Sequence, residues 1–188
     1  MKAAIALLLE GQAHAAVRRV ALELHQASGF RLSAAQLPAH MSLKQPFNIS
    51  SLSEVEAFFN GFVANLEPTH LTLTSLEFWN IDDAVIAYLD VLKDAALRPI
   101  HTRLNAELEA KFGSSPAPFD GETYHFHATA VIDHANDATL EAMKTRAGER
   151  FDIRTTANSL GLFVFTDDDF ALGSFVSYKT LALGLVNL

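Results

Sequence analysis

One order of predicted elements, strand–helix–strand–helix–strand, occurs twice along this sequence of 188 residues. Apolar residues that repeat every three or four positions indicate the helices, and apolar–polar alternation or short apolar runs indicate the strands. The repetition favours an α+β fold in which two related lobes, roughly residues 1–80 and 81–188, form one domain. The first half carries its elements at residues 3–9, 12–28, 40–47, 55–63 and 69–79. The second half carries them at residues 85–91, 97–112, 124–132 and 137–148 and as a pair of strands around 151–166, and a last strand follows at 175–183.

Composition narrows the chemistry that the chain can perform. It has no cysteine, which excludes disulfides, a thiolate nucleophile and cysteine-ligated zinc. The formal charge of −8 argues against binding of long nucleic acids or anionic membranes. No apolar run approaches the ~20 residues of a membrane-spanning helix. The N-terminal apolar run is closed early by Glu10, which disfavours a secretory signal. We therefore expect a cytoplasmic protein.

Histidine is the residue type that stands out, with eight copies. Side chains at positions i and i+2 of a strand point to the same face, so a histidine and a hydroxyl residue at that spacing can approach one ligand together. Position within the repeat favours the first and last of three such pairs, because each lies between the two helices of its half, whereas we expect His70 to be structural. The three pairs are His40 with Ser42, His70 with Thr72, and His127 with Thr129.

The two selected motifs, His40-Met41-Ser42-Leu43 and His127-Ala128-Thr129-Ala130, begin 87 residues apart, at positions 40 and 127. They resemble the paired His-x-Ser/Thr-hydrophobic motifs of the 2H phosphoesterase superfamily, which contains 2'-5' RNA ligase and cyclic phosphodiesterases. The resemblance implies a two-lobed, pseudo-symmetric fold of antiparallel-rich sheets with helices outside and an active-site cleft between the lobes. It also implies that His40 and His127 are the catalytic acid and base, and that Ser42 and Thr129 bind phosphate.

The chemistry of a cyclic phosphate agrees with such a pair. Opening a 2',3'-cyclic phosphate requires one group to take a proton from water and another to protonate the departing ribose oxygen. Two histidines can do both near neutral pH, because their unperturbed pKa is ~6.5. Hydroxyl groups can donate hydrogen bonds to the phosphate oxygens, and neither metal nor cofactor is required. We expect a small phosphodiester, a cyclic nucleotide or an RNA terminus as substrate.

Lys44 and His125, each close in sequence to one of the two motifs, are further candidates for substrate binding. Strand alternation predicts Lys44 on the face of His40, where it would meet phosphate or remain solvated. His125 would share the face of His127 and flank the pocket. Several aromatic residues could stack a nucleobase or belong to the core, namely Phe47, Phe78 and Trp79. The remaining histidines are predicted to be structural, namely His14, His25, His101 and His134.

Three other functions remain open from the sequence. The first is the reverse reaction, which joins RNA ends through a 2'-5' linkage. The second is a non-catalytic module that binds a nucleotide or phosphate. The third is a metal site in which His125 and His127 act with His40 or Asp133. Turnover that requires both motif histidines would favour the phosphodiesterase, and inactivation by a chelator would favour the metal site.

Overall fold

A computed structural model describes residues 1–92, 96–114, 120–165 and 175–184. The predicted order of strands and helices is confirmed, with one additional short 3-10 helix at Ser33–Gln36. The strands are β1 (Lys2–Leu8), β2 (His40–Asn48), β3 (Thr69–Ile81), β4 (Ala84–Val91), β5 (His127–His134), β6 (Glu149–Ala157), β7 (Ser159–Phe165) and β8 (Phe175–Ala182). The helices are α1 (Gly11–Ser28), α2 (Leu52–Val63), α3 (Leu97–Phe112) and α4 (Asp137–Arg146).

The strands form two four-stranded antiparallel sheets, in the orders β2-β1-β7-β8 and β5-β4-β3-β6. The predicted pseudo-symmetric α+β fold is thereby confirmed, because β2 and β5 occupy equivalent edges and β1 and β4 lie next to them. The division of the chain expected near residue 80 does not coincide with the division into sheets. A two-residue turn at Asp82 and Asp83 joins β3 to β4 as a hairpin, so β3 belongs to the second sheet. Strands β7 and β8 return to the first sheet.

Local sequence signals explain where the helices start and stop. Gly29 adopts a left-handed conformation with φ of 72° and ends α1, as its position after the periodic run predicts. Ser51 is the N-cap of α2, and its hydroxyl accepts a hydrogen bond from the backbone N–H of Glu54. Asn136 and Thr139 form a reciprocal capping box at the start of α4. These caps satisfy backbone groups that would otherwise lack partners.

Strand β1 is buried on both faces, which accounts for its uninterrupted apolar sequence. One face joins the main core, which extends through both sheets and the helices. The other face forms a smaller cluster with residues of β7 and of the segment before β2. The three β1 residues on the main-core face are Ala3, Ile5 and Leu7, and the smaller cluster contains Ala4, Ala6, Leu8, Leu37, Phe163 and Phe165.

Contacts between the two sheets bring their edge strands together. Strand β2 contacts β5, helix α1 contacts β5 and β6 of the second sheet, and α3 contacts β2 of the first. An exposed ion pair adds to this connection: the backbone N–H and the guanidinium of Arg31 both donate to the Asp133 carboxylate, each at 2.7 Å. The two motif-bearing strands therefore lie side by side.

Several details fall outside the sequence-based expectations. The strand predicted from residue 124 begins at His127. The predicted loop around Pro116 and Pro118 and the acidic run Asp167-Asp168-Asp169, expected as a polar turn, lie outside the described residues.

None of the helices in the described part of the chain has the length and hydropathy of a transmembrane span.

Candidate active site

His40 and His127 are the first residues of β2 and β5, the two contacting edge strands. His40 lies opposite Leu8 of β1 in the sheet register. Its ring packs edge-on against Phe163, with 4.8 Å between the ring centroids. The charge of His40 is close enough to help lower the pKa of His127. The fold thus brings together two histidines that are distant in sequence.

Both imidazoles are held in the same way. Nδ1 of His40 lies 2.8 Å from the carbonyl oxygen of Pro38, and Nδ1 of His127 lies 2.8 Å from that of His125. A carbonyl oxygen can only accept, so Nδ1 carries the proton in each neutral ring. The lone pair of the neutral ring is then on Nε2. Each histidine can therefore exchange a proton through the nitrogen that points away from its own backbone anchor.

Burial lowers the pKa of both histidines. For His40, desolvation dominates, the Pro38 hydrogen bond opposes it, and the Arg18 charge lowers the pKa further. For His127, desolvation again dominates and the pKa falls to about 4. The backbone bond and the Asp90 carboxylate partly oppose that fall, whereas the charges of His125 and His40 add to it. Burial therefore favours the neutral form of both rings.

The hydroxyl residues of the two motifs occupy matching positions. Ser42 and Thr129 follow their histidines by two residues, and all four side chains are partly exposed while the residues between them are buried. Within the described residues, neither hydroxyl takes part in a hydrogen bond. They are available to a ligand on the same strand faces as the imidazoles.

Lys44 departs from its predicted orientation. The register of β2 against β1 gains an extra residue between Ser42 and Lys44, which is a β-bulge. The alternation breaks there, because Leu43 and Lys44 are both buried. Lys44 therefore points away from the face of His40 and forms an ion pair with Asp120. It lines a cavity of about 210 Å³ whose lining includes neither catalytic candidate.

His125 does lie beside His127, as expected. Its Nε2 is 2.9 Å from a carboxylate oxygen of Asp90, and its ring lies 6.2 Å from the His127 ring between centroids. Trp79 and Tyr88 border both rings, with centroids 4.6 and 5.2 Å from that of His127. Trp79 is partly exposed at this border, so it can contact a ligand, whereas Phe47 is part of the core and Phe78 packs against it.

The structure adds site residues that sequence reasoning did not identify. The charge of Arg18 in α1 lowers the pKa of His40, and the Phe163 ring of β7 packs edge-on against the His40 ring. Asp90 of β4 forms a pair opposite His127 in the register and contacts His125. No sequence motif marks these residues, because each comes from an element that is remote in sequence. Asp90 could have been found only from the strand register.

The other histidines have separate environments. His70 is exposed and its Nδ1 lies 2.9 Å from the Thr156 hydroxyl. His25 Nδ1 contacts the Phe30 carbonyl, His134 lies near Asp83, and His14 lies on α1. His101 is 1 % exposed, its Nδ1 donates to the Leu43 carbonyl at 2.7 Å, and its Nε2 accepts from the Gly121 N–H at 3.2 Å.

The side chains considered as metal ligands are already engaged in contacts with other groups of the protein. Asp133, the carboxylate considered as a metal ligand, accepts hydrogen bonds from Arg31. Asp90 contacts His125, and the Nδ1 atoms of His40 and His127 are occupied by carbonyls. In the described part of the chain, no three histidine or carboxylate side chains form a group that could hold a metal ion.

Comparison with known proteins identifies the family. The family model described as "2'-5' RNA ligase superfamily" matches residues 9–169, most of the chain and both histidine motifs. The chain belongs to the 2'-5' RNA ligase superfamily. This superfamily, also named for its 2H phosphoesterases, comprises phosphoesterases and RNA-ligase-like enzymes. A comparison with curated proteins finds no significant match.

Solved structures share the fold of this superfamily member. The Thermus thermophilus protein TT0787 has a TM-score of 0.70 at 11% identity, and E. coli LigT complexed with 3'-AMP has 0.67 at 16%. Usb1 of Kluyveromyces marxianus has 0.59 at 13%. In all three, the match covers 97% of this chain and 98% of the other. At these identities, the likeness concerns the fold.

Proposed function

We propose that the protein is a metal-independent phosphodiesterase that opens a 2',3'-cyclic phosphate on a nucleotide or RNA end. His40 and His127 act as general acid and base, and Ser42 and Thr129 donate hydrogen bonds to the phosphate. The observation that carries the proposal is the matched anchoring of the two imidazoles on contacting edge strands, each with Nε2 available for proton transfer.

The reaction balances with these groups alone. One neutral imidazole takes a proton from water as the water oxygen forms a bond to phosphorus. The bond from phosphorus to one ribose oxygen breaks, and the protonated imidazole gives its proton to that oxygen. The product is a phosphomonoester with a free neighbouring hydroxyl. The two histidines finish with exchanged protonation states and return to the starting state through solvent.

The lowered pKa values fit a site that is completed by its substrate. Burial favours the neutral form of both rings, whereas the reaction needs one of them to be protonated. An anionic phosphodiester beside the imidazoles favours their charged form, which raises the pKa of a ring that contacts it. Substrate binding thereby supplies the electrostatic condition for protonating one histidine.

Nucleotide-sized substrates also agree with the known ligands of similarly folded proteins. LigT structures are described as complexes with 3'-AMP, ATP and NADP+, and a Usb1 structure as a complex with uridine monophosphate. In this chain the partly exposed Trp79 offers an aromatic face close to His127. Such a face can stack on a base or a ribose.

Hydrolysis of 2',3'-cyclic AMP tests the proposal. We expect the variants His40→Ala and His127→Ala each to lose about 10³-fold in kcat, since each removes one acid–base group. His70→Ala is the matched control, because it alters the third His-x-Thr motif, which lies outside the site. Activity should survive EDTA. Full activity in either motif variant would contradict the proposal, as would EDTA-sensitive turnover.

Two outcomes would redirect the assignment. If the protein binds cyclic AMP without forming product, it is a binding module. If it joins RNA ends through a 2'-5' linkage and does not hydrolyse the cyclic ester, the same histidines serve a reaction in which an RNA 5'-hydroxyl attacks the phosphorus in place of water. Each result contradicts the hydrolase proposal.

A further inference from the structure

Each catalytic histidine is preceded by a segment whose carbonyl groups are bound by an arginine from a helix. In the first half, Arg18 of α1 donates from its two terminal nitrogens to the carbonyls of Ala34, at 3.4 Å, and Leu37. The next residue is Pro38, whose carbonyl accepts from His40 Nδ1. One guanidinium therefore binds the segment that precedes β2, and this segment supplies the carbonyl that anchors the imidazole.

The second half repeats this arrangement. Arg98 of α3 donates to the carbonyls of Gly121, at 2.8 Å, and Tyr124, at 2.5 Å. The next residue is His125, whose carbonyl accepts from His127 Nδ1. The bound carbonyls lie six and three residues before the histidine in both halves, and all counterpart positions are 87 residues apart, as positions 40 and 127 are.

We propose that Arg18 and Arg98 are paired positioning residues, each of which fixes the backbone segment that orients one catalytic histidine. A guanidinium presents its N–H groups in a rigid planar fork, so it can bind two carbonyls at once, whereas a lysine ammonium is a point charge. The segments 34–38 and 121–125 lie outside the regular strands, so sheet hydrogen bonds do not fix them. Both arginine side chains are partly buried, which limits competition from water.

The two arginines reach equivalent carbonyls from non-equivalent places. Arg18 is the eighth residue of α1, whereas Arg98 is the second residue of α3 and also packs on the Phe126 ring, 4.7 Å from its centroid. The shared feature is thus the set of bound carbonyls and not the helix position. This agreement of contacts despite different helix positions indicates that the contacts serve the histidines.

The test combines lysine variants with a readout that needs no substrate. In ¹⁵N-histidine NMR spectra of the whole protein, His40 and His127 should both show the neutral tautomer that is protonated on Nδ1. We expect Arg18→Lys to shift His40 toward a mixture of tautomers while His127 keeps its spectrum, and Arg98→Lys to do the reverse. Arg19→Lys and Arg103→Lys are matched controls; Arg103 also donates to a carbonyl, that of Asn65, away from the site.

Activity provides the second readout, and this part rests on the proposed function. Each positioning variant should lower kcat about 10- to 100-fold with little change in KM, because small displacements of a catalytic group are costly. Guanidinium added at millimolar concentration should partly restore kcat to Arg18→Ala and Arg98→Ala, which also provides a test should a lysine variant fold poorly.

Unchanged tautomers in folded lysine variants would overturn the positioning proposal, as would equal disturbance of both histidines by either variant or failure of guanidinium rescue in enzymes that turn over. An absence of turnover in the wild-type protein would overturn the proposed function alone, since the tautomer readout remains decisive for the arginines.

Discussion

Strands β2 and β5 present nearly the same backbone geometry to the site but differ in the charges around it. In both, the histidine opens an edge strand, its Nδ1 bonds the carbonyl two residues earlier, and a hydroxyl follows two residues later. Around His40 the charged neighbour is Arg18, whereas His127 faces Asp90 and His125. The residue that supplies the anchoring carbonyl is Pro38 in one half and His125 in the other.

This difference teaches that duplicated backbone geometry around the two histidines does not require duplicated electrostatics. Burial lowers the pKa of both histidines, and a different set of neighbouring charges then acts on the pKa of each one. The supporting rings differ as well, with Phe163 beside His40 but Trp79 and Tyr88 beside His127. The two imidazoles are therefore held alike by the backbone but lie in different surroundings.

Removal of either motif hydroxyl should give the largest change in activity among the tests of this comparison. If both halves bind phosphate equally, Ser42→Ala and Thr129→Ala should each lower kcat about 10²-fold, the scale for losing one donor to developing negative charge. Thr72→Ala is the control, since Thr72 belongs to the His-x-Thr motif outside the site. Steady-state kinetics with 2',3'-cyclic AMP measure all three. A large loss in only one of the two motif variants would break the functional equivalence of the halves.

A smaller expected effect concerns the link between the halves. His101 joins β2 to the segment before β5, because it donates to the Leu43 carbonyl and accepts from the Gly121 N–H. His101→Ala leaves both backbone groups without this partner, so the free energy of unfolding should fall by about 2 kcal/mol. Urea unfolding at pH 7 measures the loss. His134→Ala, at an exposed site on β5, should change stability little.

The stability of the wild-type protein should also depend on pH through the buried histidines. The pKa values of His40, His101 and His127 are lowered in the folded protein, so the unfolded chain binds more protons below pH ~6.5. Their contribution to stability is present above that pH and is lost as the pH falls toward their folded values. Urea midpoints that rose on acidification from pH 6.5 to 5 would disagree with this sign.

The smallest expected effect separates the electrostatics of the halves. His125→Gln keeps the anchoring carbonyl but removes a charge that lowers the pKa of His127, so that pKa should rise. The tautomer and titration of His40 should change little. NMR titration of the histidine rings measures the two pKa values, that of His127 and that of His40, separately. A downward shift of the His127 pKa would mean that the ring of His125 acts through packing and not through its charge.

Sequence periodicity was sufficient for the element order, because the core faces of helices and strands follow regular spacing. It also selected His40 and His127, since strand alternation and their place in the repeat agree. It was wrong for Lys44, because a β-bulge interrupts the alternation and no local residue pattern marked the extra residue. Periodicity also did not assign β3 to the second sheet, since pairing of β3 with β4 depends on a tight hairpin.

The contacts that complete the site were beyond sequence reasoning for a different reason. Arg18 and Arg98 occupy non-equivalent helix positions, so comparison of the two halves would not align them. Asp90 reaches the site only through the register of β4 against β5. These are tertiary relations between residues that are distant in the chain, and a single sequence carries no signal for them.

The most direct test of the central claim, that His40 and His127 form one phosphate-binding site, is a titration with 2'-AMP followed by ¹⁵N-histidine NMR. We predict that the Nε2 signals of both histidines move along one binding curve with a single Kd, and that His70 and His134 do not respond. Movement of only one motif histidine, or two curves with different Kd values, would contradict the claim.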